Sequence, residues 1–364
     1  MKITIVAGAR PNFMKIAPII RAIRKKRSEG KDIIGRLVHT GQHYDKKMSG
    51  DFFEQLEIPE PDVNLEAGGG TQAEQTAAIM VGFEAELIAN RPDIVLVVGD
   101  VTSTMACSVT AKKLCIDVAH VEAGIRSGDR TMPEEINRMV TDSISDLFFT
   151  TTTLAGEILQ KEGHSKENIH FVGNTMIDTL YHRLDHLIEP DLYAENNLKS
   201  KGYLVLTLHR PSNVDKENEL VSLVQNILAS AGDYPIIFPV HPRTAKVLEK
   251  ANFSDSRLIM TGPLSYLEFI YMIKNSAGVV TDSGGITEET TVLGIPCITL
   301  RDSTERPETV TVGTNELIGA NPANVGQWIE KMLQGQWKKG EIPALWDGNT
   351  SDRIAEILCA KYSV

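Results

Sequence analysis

Short, dense apolar runs recur along the chain. Those at 3–7, 33–40, 94–99, 118–121, 147–150 and 169–172 are rich in Ile, Val, Leu and Phe and read as buried strands. Between most of them lie stretches of helical period, such as 13–26 and 71–90. Strand and helix in alternation predict a parallel sheet covered on both faces, a doubly wound α/β unit. After Gly173 the pattern starts again, with strands expected at 203–207, 236–240, 258–261, 279–281 and 296–300 and a lead-in helix at 175–187. The expected fold class is therefore α/β, with two Rossmann-like doubly wound domains divided between residues 172 and 173. Open parallel sheets bind ligands outside the carboxyl ends of their strands. Two such domains facing each other across a cleft would place function at those strand ends.

Length agrees with two domains, since 364 residues exceed what one hydrophobic core usually serves. At 42% hydrophobic and 23% charged residues the chain is neither disordered nor fibrous. Its 37 basic and 48 acidic side chains leave a net charge of -11, a field that repels phosphate backbones and anionic lipid. Nucleic acid and membrane surfaces are thereby disfavoured as partners, and any phosphate pocket must be a local positive exception. Cys107, Cys115, Cys297 and Cys359 are too far apart for a CxxC metal site, and each lies in apolar sequence that reads as interior. No metal is expected. The opening MKITIVAG lacks the regions of a signal peptide, and no run approaches the ~20 apolar residues of a membrane span, so a cytoplasmic location is expected. The basic run at 24–27 reads as a solvated helix end that suits the helix dipole.

The first strand runs into Gly8, Ala9, Arg10 and Pro11, with Lys15 close behind. Neither GxGxxG nor GxxxxGK[ST] is present, which disfavours NAD and ATP cradles. A glycine turn followed by two cations at a helix start is instead a candidate anion site. The strand at 94–99 leads into Asp100 and the one at 118–121 into Glu122, and MPEEINR follows with Glu134, Glu135 and Arg138. These acids are expected to converge on one sheet end, uncompensated, raising each other's pKa and sharing a proton as general acid and base. Glu134 and Glu135 also suit the first turn of a helix after Pro133.

In the second half, strands lead into His209-Arg210-Pro211-Ser212-Asn213 and into His241-Pro242-Arg243, repeating a histidine and a cation at one sheet edge. The most informative string is Thr281-Asp282-Ser283-Gly284-Gly285-Ile286-Thr287-Glu288-Glu289. A Ser-Gly-Gly turn entering a helix offers backbone N–H groups and a hydroxyl to a diphosphate. Glu288 or Glu289 could then accept from the two hydroxyls of a ribose. Pyrophosphate plus ribose points to a nucleotide.

Together these strings resemble the non-hydrolysing UDP-N-acetylglucosamine 2-epimerases, which share the GT-B type of fold with many glycosyltransferases. The resemblance runs the length of the chain. It rests on GARPNFMKIAP at 8–18, TGQHYD at 40–45, GDVTST at 99–104, HVEAGIRSGD at 120–129, PEEINR at 133–138, GNTMID at 173–178, HRPSN at 209–213, PVHPR at 239–243, TDSGGITEET at 281–290 and RDSTERPE at 301–308. It implies reversible inversion at C2 between UDP-GlcNAc and UDP-ManNAc, with no NAD, metal or other cofactor. UDP is eliminated to leave 2-acetamidoglucal and is re-added after reprotonation on the opposite face.

Carried over residue by residue, the family's acidic catalytic positions match Asp100, Glu122 and Glu134, and its catalytic histidine matches His209. Its UDP contacts match Arg10, Ser283, Gly284, Gly285 and Glu289, and His241 follows the next strand as the family's does. Lys15, Arg138, Arg210 and Arg301 fall at sugar- or phosphate-facing positions, with the segment 305–308 beside Arg301. The resemblance also implies a homodimer, and a C-terminal helix at about 350–364 that returns to the first domain. The domains then read 1–172 plus 350–364, carrying the carboxylates, and 173–349, binding UDP. Many members have Glu where this chain has Asn12 and Ser212, so neither side chain can carry a carboxylate role here. Gln42 and His43 match a possible activator site for a second UDP-GlcNAc, although the loop at 66–70 brings no cation.

Three alternatives share much of this chemistry. A sister enzyme acting on a decorated sugar, such as UDP-2,3-diacetamido-glucuronate, would use the same catalytic set. A GT-B glycosyltransferase would share the fold and the nucleotide turn. It would not need three carboxylates and a histidine around C2, and it commonly carries a basic amphipathic patch that this sequence lacks. A hydrolysing epimerase would release free ManNAc.

Overall fold

The structure is a computed structural model. It describes residues 1–41, 53, 55–214, 216–240, 242–251, 253–319 and 321–364, without the side chains of 10, 11, 211, 212, 242, 243 and 322. Gln42, His43 and His241, and the side chains of Arg10 and Arg243, thus lie outside the described residues.

Two units separate, one formed by Met1–His182 with Ala344–Val364 and the other by Arg183–Pro343. The first holds a seven-stranded parallel sheet in the order β3-β2-β1-β4-β5-β6-β7. Its strands are β1 Lys2–Ala7, β2 Ile34–His39, β3 Val63–Asn64, β4 Ile94–Val98, β5 Asp117–Val121, β6 Leu147–Thr150 and β7 Ile169–Phe171. The second holds six parallel strands in the order β10-β9-β8-β11-β12-β13. They are β8 Leu204–Thr207, β9 Ile236–Pro239, β10 Leu258–Thr261, β11 Gly278–Thr281, β12 Cys297–Thr299 and β13 Asn315–Leu317. Central strands covered on both faces must be apolar throughout, and every residue of β4 and β11 is buried. The edge strands β3 and β13 were not expected, because Val63-Asn64 and Asn315-Glu316-Leu317 mix polar residues into too short a stretch to form an apolar run.

Local chemistry sets the helix ends. Helix Gln72–Ala89 opens on a capping box: Thr71 Oγ1 accepts from the Glu74 N–H at 3.3 Å, and Glu74 Oε2 from the Thr71 N–H at 2.8 Å. Helix Arg10–Ser28 starts earlier than its apolar period suggests, because Pro11 is pre-set for a first turn. It ends in exposed Lys25 and Arg27 beside Lys26, as a helix dipole favours.

The division between the units falls after His182 rather than after residue 172, and hydrogen bonds give the reason. Helix Thr175–Arg183 does not lead into the second sheet. Thr179 Oγ1 donates to the Met14 carbonyl at 2.5 Å. The buried Asp178 carboxylate accepts from the Thr350 N–H at 3.1 Å and from the Ser351 N–H and hydroxyl, both at 2.7 Å. The GNTMID segment thus caps the C-terminal helix Thr350–Lys361 on the first unit. Trp346 is buried there, donating to the Thr151 carbonyl at 3.3 Å. Cys107, Cys297 and Cys359 are buried as expected, but Cys115 is exposed. It occupies a turn at φ +54° just past helix Thr102–Lys113, where the chain reverses into β5. Among the described residues, no helix is long and apolar enough to cross a membrane and no group of three His, Cys, Asp or Glu side chains is placed to hold a metal.

Candidate functional site

Strand order reverses between β1 and β4 in the first sheet and between β8 and β11 in the second. These switch points are where open α/β sheets leave a ligand crevice beyond the carboxyl strand ends. The polar clusters of the sequence sit at both.

In the first unit the turn after β1 is packed tightly. A Cβ on Gly8 would lie 1.9 Å from Ser103 Oγ, which is itself 2.8 Å from Thr40 Oγ1. Buried Asn12 accepts from the Gly8 and Ala9 N–H groups at 3.2 and 3.1 Å and donates to the Val98 carbonyl at 2.9 Å, joining the ends of β1 and β4. A carboxylate there could accept but not donate.

Glu122 follows β5 in the left-handed region, at φ +68°, which is uncommon for a residue with a side chain and recurs at functional sites. Its buried carboxylate meets Lys15 Nζ at 2.5 Å. The turn at Gly99, φ +70°, lets this pair sit close, since a Cβ would lie 3.1 Å from Lys15 Nζ and 3.7 Å from Glu122 Oε2. Asp100 is half-buried and paired with Arg138. Arg138 also meets Glu135 at 3.0 Å, and Asn137 Nδ2 donates to the Asp100 carbonyl at 2.8 Å. Glu134, half-buried, shares the first turn of helix Pro133–Ile144 with Glu135.

The structure therefore brings Asp100, Glu122, Lys15 and Arg138 into one region, but corrects the expectation of uncompensated acids. Lys15 stands on Glu122, and Arg138 bridges Asp100 and Glu135, so these three acids are compensated by cations. Burial pushes the Glu135 carboxyl up. Hydrogen bonds from the Ser127 and Gly128 N–H groups and from Arg138 outweigh burial and hold it below the usual range.

In the second unit, Asp282 follows β11 and is fully buried. It accepts from the N–H groups of His209 at 3.1 Å and Arg210 at 3.0 Å and from Asn213 Nδ2 at 3.0 Å, and it meets His209 Nδ1 at 2.6 Å. Burial pushes its pKa up, but hydrogen bonding and charge from His209, with Asn213 and the Arg210 N–H, bring it below the ordinary value. The His209 ring, 59% exposed, is thereby oriented with Nδ1 toward Asp282 and Nε2 away from it. Sequence reasoning passed over Asp282. Its signal was an acid set directly after a buried strand.

Ser283 precedes helix Gly284–Leu293 in extended conformation and makes no side-chain capping hydrogen bond. The first-turn N–H groups of that helix and the Ser283 hydroxyl are thus available to an anion. A Cβ on Gly284 would lie 3.6 Å from Arg301, whose guanidinium pairs with Glu305 at 3.2 Å. One turn inward, buried Glu288 pairs with Arg306. Burial pushes its neighbour Glu289 up to about 8, with the Glu288 charge adding and the Tyr266 hydroxyl opposing.

Two Rossmann-like units in tandem, one with ion-paired acids and the other with an anion-ready helix start at the switch point, define a protein of the GT-B type. The family profile described as UDP-N-acetylglucosamine 2-epimerase matches residues 25–359. Over 370 aligned residues the chain is 41% identical to the UDP-N-acetylglucosamine 2-epimerase of Methanocaldococcus jannaschii, covering 98% of this chain and 99% of that one. It is 37% identical over 361 residues to the UDP-2,3-diacetamido-2,3-dideoxy-D-glucuronate 2-epimerase of Pseudomonas aeruginosa, with 98% and 99% covered. The crystal structure of the Methanocaldococcus jannaschii UDP-GlcNAc 2-epimerase in complex with UDP-GlcNAc and UDP matches with a TM-score of 0.86 at 42% identity, over 99% of this chain and 100% of that one. The chain belongs to the UDP-N-acetylglucosamine 2-epimerase family.

Proposed function

We propose that the protein inverts C2 of UDP-N-acetylglucosamine, interconverting it reversibly with UDP-N-acetylmannosamine. The observation that carries this reading is the set of ion-paired acids, Glu122 with Lys15 and Asp100 with Arg138, at the first switch point of a chain of this family. The C2 proton of the sugar is weakly acidic. Its removal needs a positioned base together with a leaving group whose developing charge is stabilised. In the proposed cycle a carboxylate takes that proton while the C1–O bond breaks and UDP departs with the electron pair, leaving 2-acetamidoglucal. A proton delivered to the opposite face of C2 and the return of UDP to C1 complete the inversion.

Asp100, Glu122 and Glu134 are assigned the proton transfers, with Lys15 and Arg138 setting the acids in place. His209, oriented by Asp282, is assigned to the departing diphosphate. The turn Ser283-Gly284-Gly285 with Arg10, Arg210, His241 and Arg301 holds UDP. Glu289, protonated below about pH 8, offers the ribose a donor as well as an acceptor. Cytoplasmic residence fits four free cysteines. A homodimer is part of the same reading, and a light-scattering mass of a single 40.0 kDa chain would sink it.

The Pseudomonas aeruginosa relative favours a second reading, inversion of a UDP-diacetamido-uronate. A sugar carboxylate needs a spare cation. Among the described residues at the first switch point, Lys15 and Arg138 are already matched to acids, which favours the neutral sugar. A proton NMR time course of each substrate with the purified protein in D2O decides. UDP-GlcNAc should yield UDP-ManNAc carrying deuterium at C2. Inversion of the uronate alone would transfer the assignment to the sister reaction, and accumulation of free ManNAc would make the protein a hydrolysing epimerase.

A further inference from the structure

Behind the acids lies a histidine that the reaction has not so far used. His120 is on β5, two residues before Glu122, and is fully buried. Its Nε2 is 2.8 Å from the Gly99 carbonyl oxygen and its Nδ1 is 2.6 Å from Asp142 Oδ1. A carbonyl oxygen only accepts, so Nε2 carries a proton. The other oxygen of Asp142 accepts from the Gly124 N–H at 3.1 Å and from Arg126 Nη1 at 2.7 Å. Burial pushes the Asp142 carboxyl up, but His120 and Arg126 outweigh it and hold it low. As a carboxylate, Asp142 accepts from Nδ1 also.

One ring thus joins three pieces of the site: the Gly99 turn that presents Asp100, the strand that leads into Glu122, and helix Pro133–Ile144. That helix carries Asp142 and also supplies Arg138 to the Asp100 carboxylate and Asn137 to its carbonyl. Packing alone does not call for such a network, because a well-fitted apolar side chain is often as stable as a buried ion pair. We propose that His120 is a positioning residue for the acids, fixing the Gly99 carbonyl and through it the placement of Asp100 against Glu122. This rests on the 2-epimerase reading of those two acids.

Two amide variants separate the two hydrogen bonds. In His120→Gln the amide nitrogen falls near the place of Nε2, keeping the donor to Gly99 and leaving Asp142 Oδ1 without its donor. In His120→Asn it falls near Nδ1, keeping Asp142 satisfied and leaving the Gly99 carbonyl unmet. Misplacement by ~1 Å can cost about 10²-fold in rate. His120→Asn should therefore lose about 10²-fold in kcat on UDP-GlcNAc with the UDP Kd unchanged. His120→Gln should keep kcat within about tenfold while melting at the lower temperature of the two, since it leaves one oxygen of a buried carboxylate without its donor, which costs more than an unmet carbonyl. A purely structural role makes activity follow stability, so equal kcat values, or a slower His120→Gln, would overturn the inference with the 2-epimerase reading intact. Amide exchange across residues 99–104 should quicken in His120→Asn and not in His120→Gln. Unchanged exchange in His120→Asn would overturn the inference whatever the substrate, whereas an inactive wild type counts against the proposed function instead.

Discussion

At the switch point between β1 and β4, Lys15 stands on Glu122 and Arg138 bridges Asp100 and Glu135, and the backbone is fixed by tight contacts. At the switch point between β8 and β11, the glycines sit loosely, burial pushes the Glu289 carboxyl up to about 8, and the first turn of a helix can offer its N–H groups to an anion. The glycines draw the contrast most sharply. Gly8 has no room for a Cβ, and Gly99 needs its positive φ, so the fold of the first unit requires both. Gly284 would place a Cβ at ordinary contact distance and Gly285 in open space, and neither has a positive φ. Among the described residues, nothing in the folded second unit requires glycine at those two positions. The same topology thus carries a preorganised arrangement of acids in one unit and a surface shaped for a ligand in the other.

The largest effect should come from the acid side of this contrast. Glu122→Gln is expected to lower kcat by about 10² or more, on general acid-base magnitudes, with the UDP Kd unchanged by calorimetry. A wild-type rate would remove Glu122 from the proton transfers, and a weakened UDP Kd would mean that the two sites do not divide the work. On the ligand side, Gly285→Ala should weaken UDP binding by about tenfold, one to two kcal/mol of lost N–H contact, and leave the melting temperature alone. Gly8→Ala should do the reverse, destabilising the fold by about 1–3 kcal/mol through overpacking against Ser103. The contrast breaks if Gly285→Ala melts early or binds UDP as the wild type does.

What the sequence made legible was local. Strands of Ile and Val, glycine turns and the polar residues that follow them are near neighbours in the chain, so both switch points could be read from strings such as VVGD and TDSGG. Pairings across the fold were not legible. Lys15 reaches Glu122 across more than a hundred residues and Arg138 returns to Asp100, and neither partner is marked by spacing. Counting charges at a strand end therefore overstated the repulsion among the acids. His120 was hidden for a related reason: an interior strand position reads as core, and its partner Asp142 lies on a helix that follows the strand. Helix Thr175–Arg183 was misplaced because its period says that it is a helix, and not which sheet it packs on.

The electrostatic half of the contrast is tested by pH alone. Burial raises Glu289 from an ordinary 4.5 to about 8, so the folded protein holds a proton that the unfolded chain releases between those values. Its stability contribution is whole below about pH 4.5, falls as pH rises toward 8, and changes no further beyond, with a slope of at most roughly 1.4 kcal/mol per pH unit. Glu289→Gln keeps the neutral form at every pH. Its melting temperature should therefore gain on the wild type from about pH 5 to about pH 8 and then run parallel to it. Glu135 in the first unit is shifted the other way, so its contribution is present above its ordinary 4.5 and is lost as acid protonates the folded state. Glu135→Gln should accordingly differ least from the wild type at the acid end and lose ground as the pH is raised through the carboxylate range. Parallel melting curves for Glu289→Gln across pH 5–8 would mean that its carboxyl is ionised in the fold, and the second switch point would then be no less charged than the first.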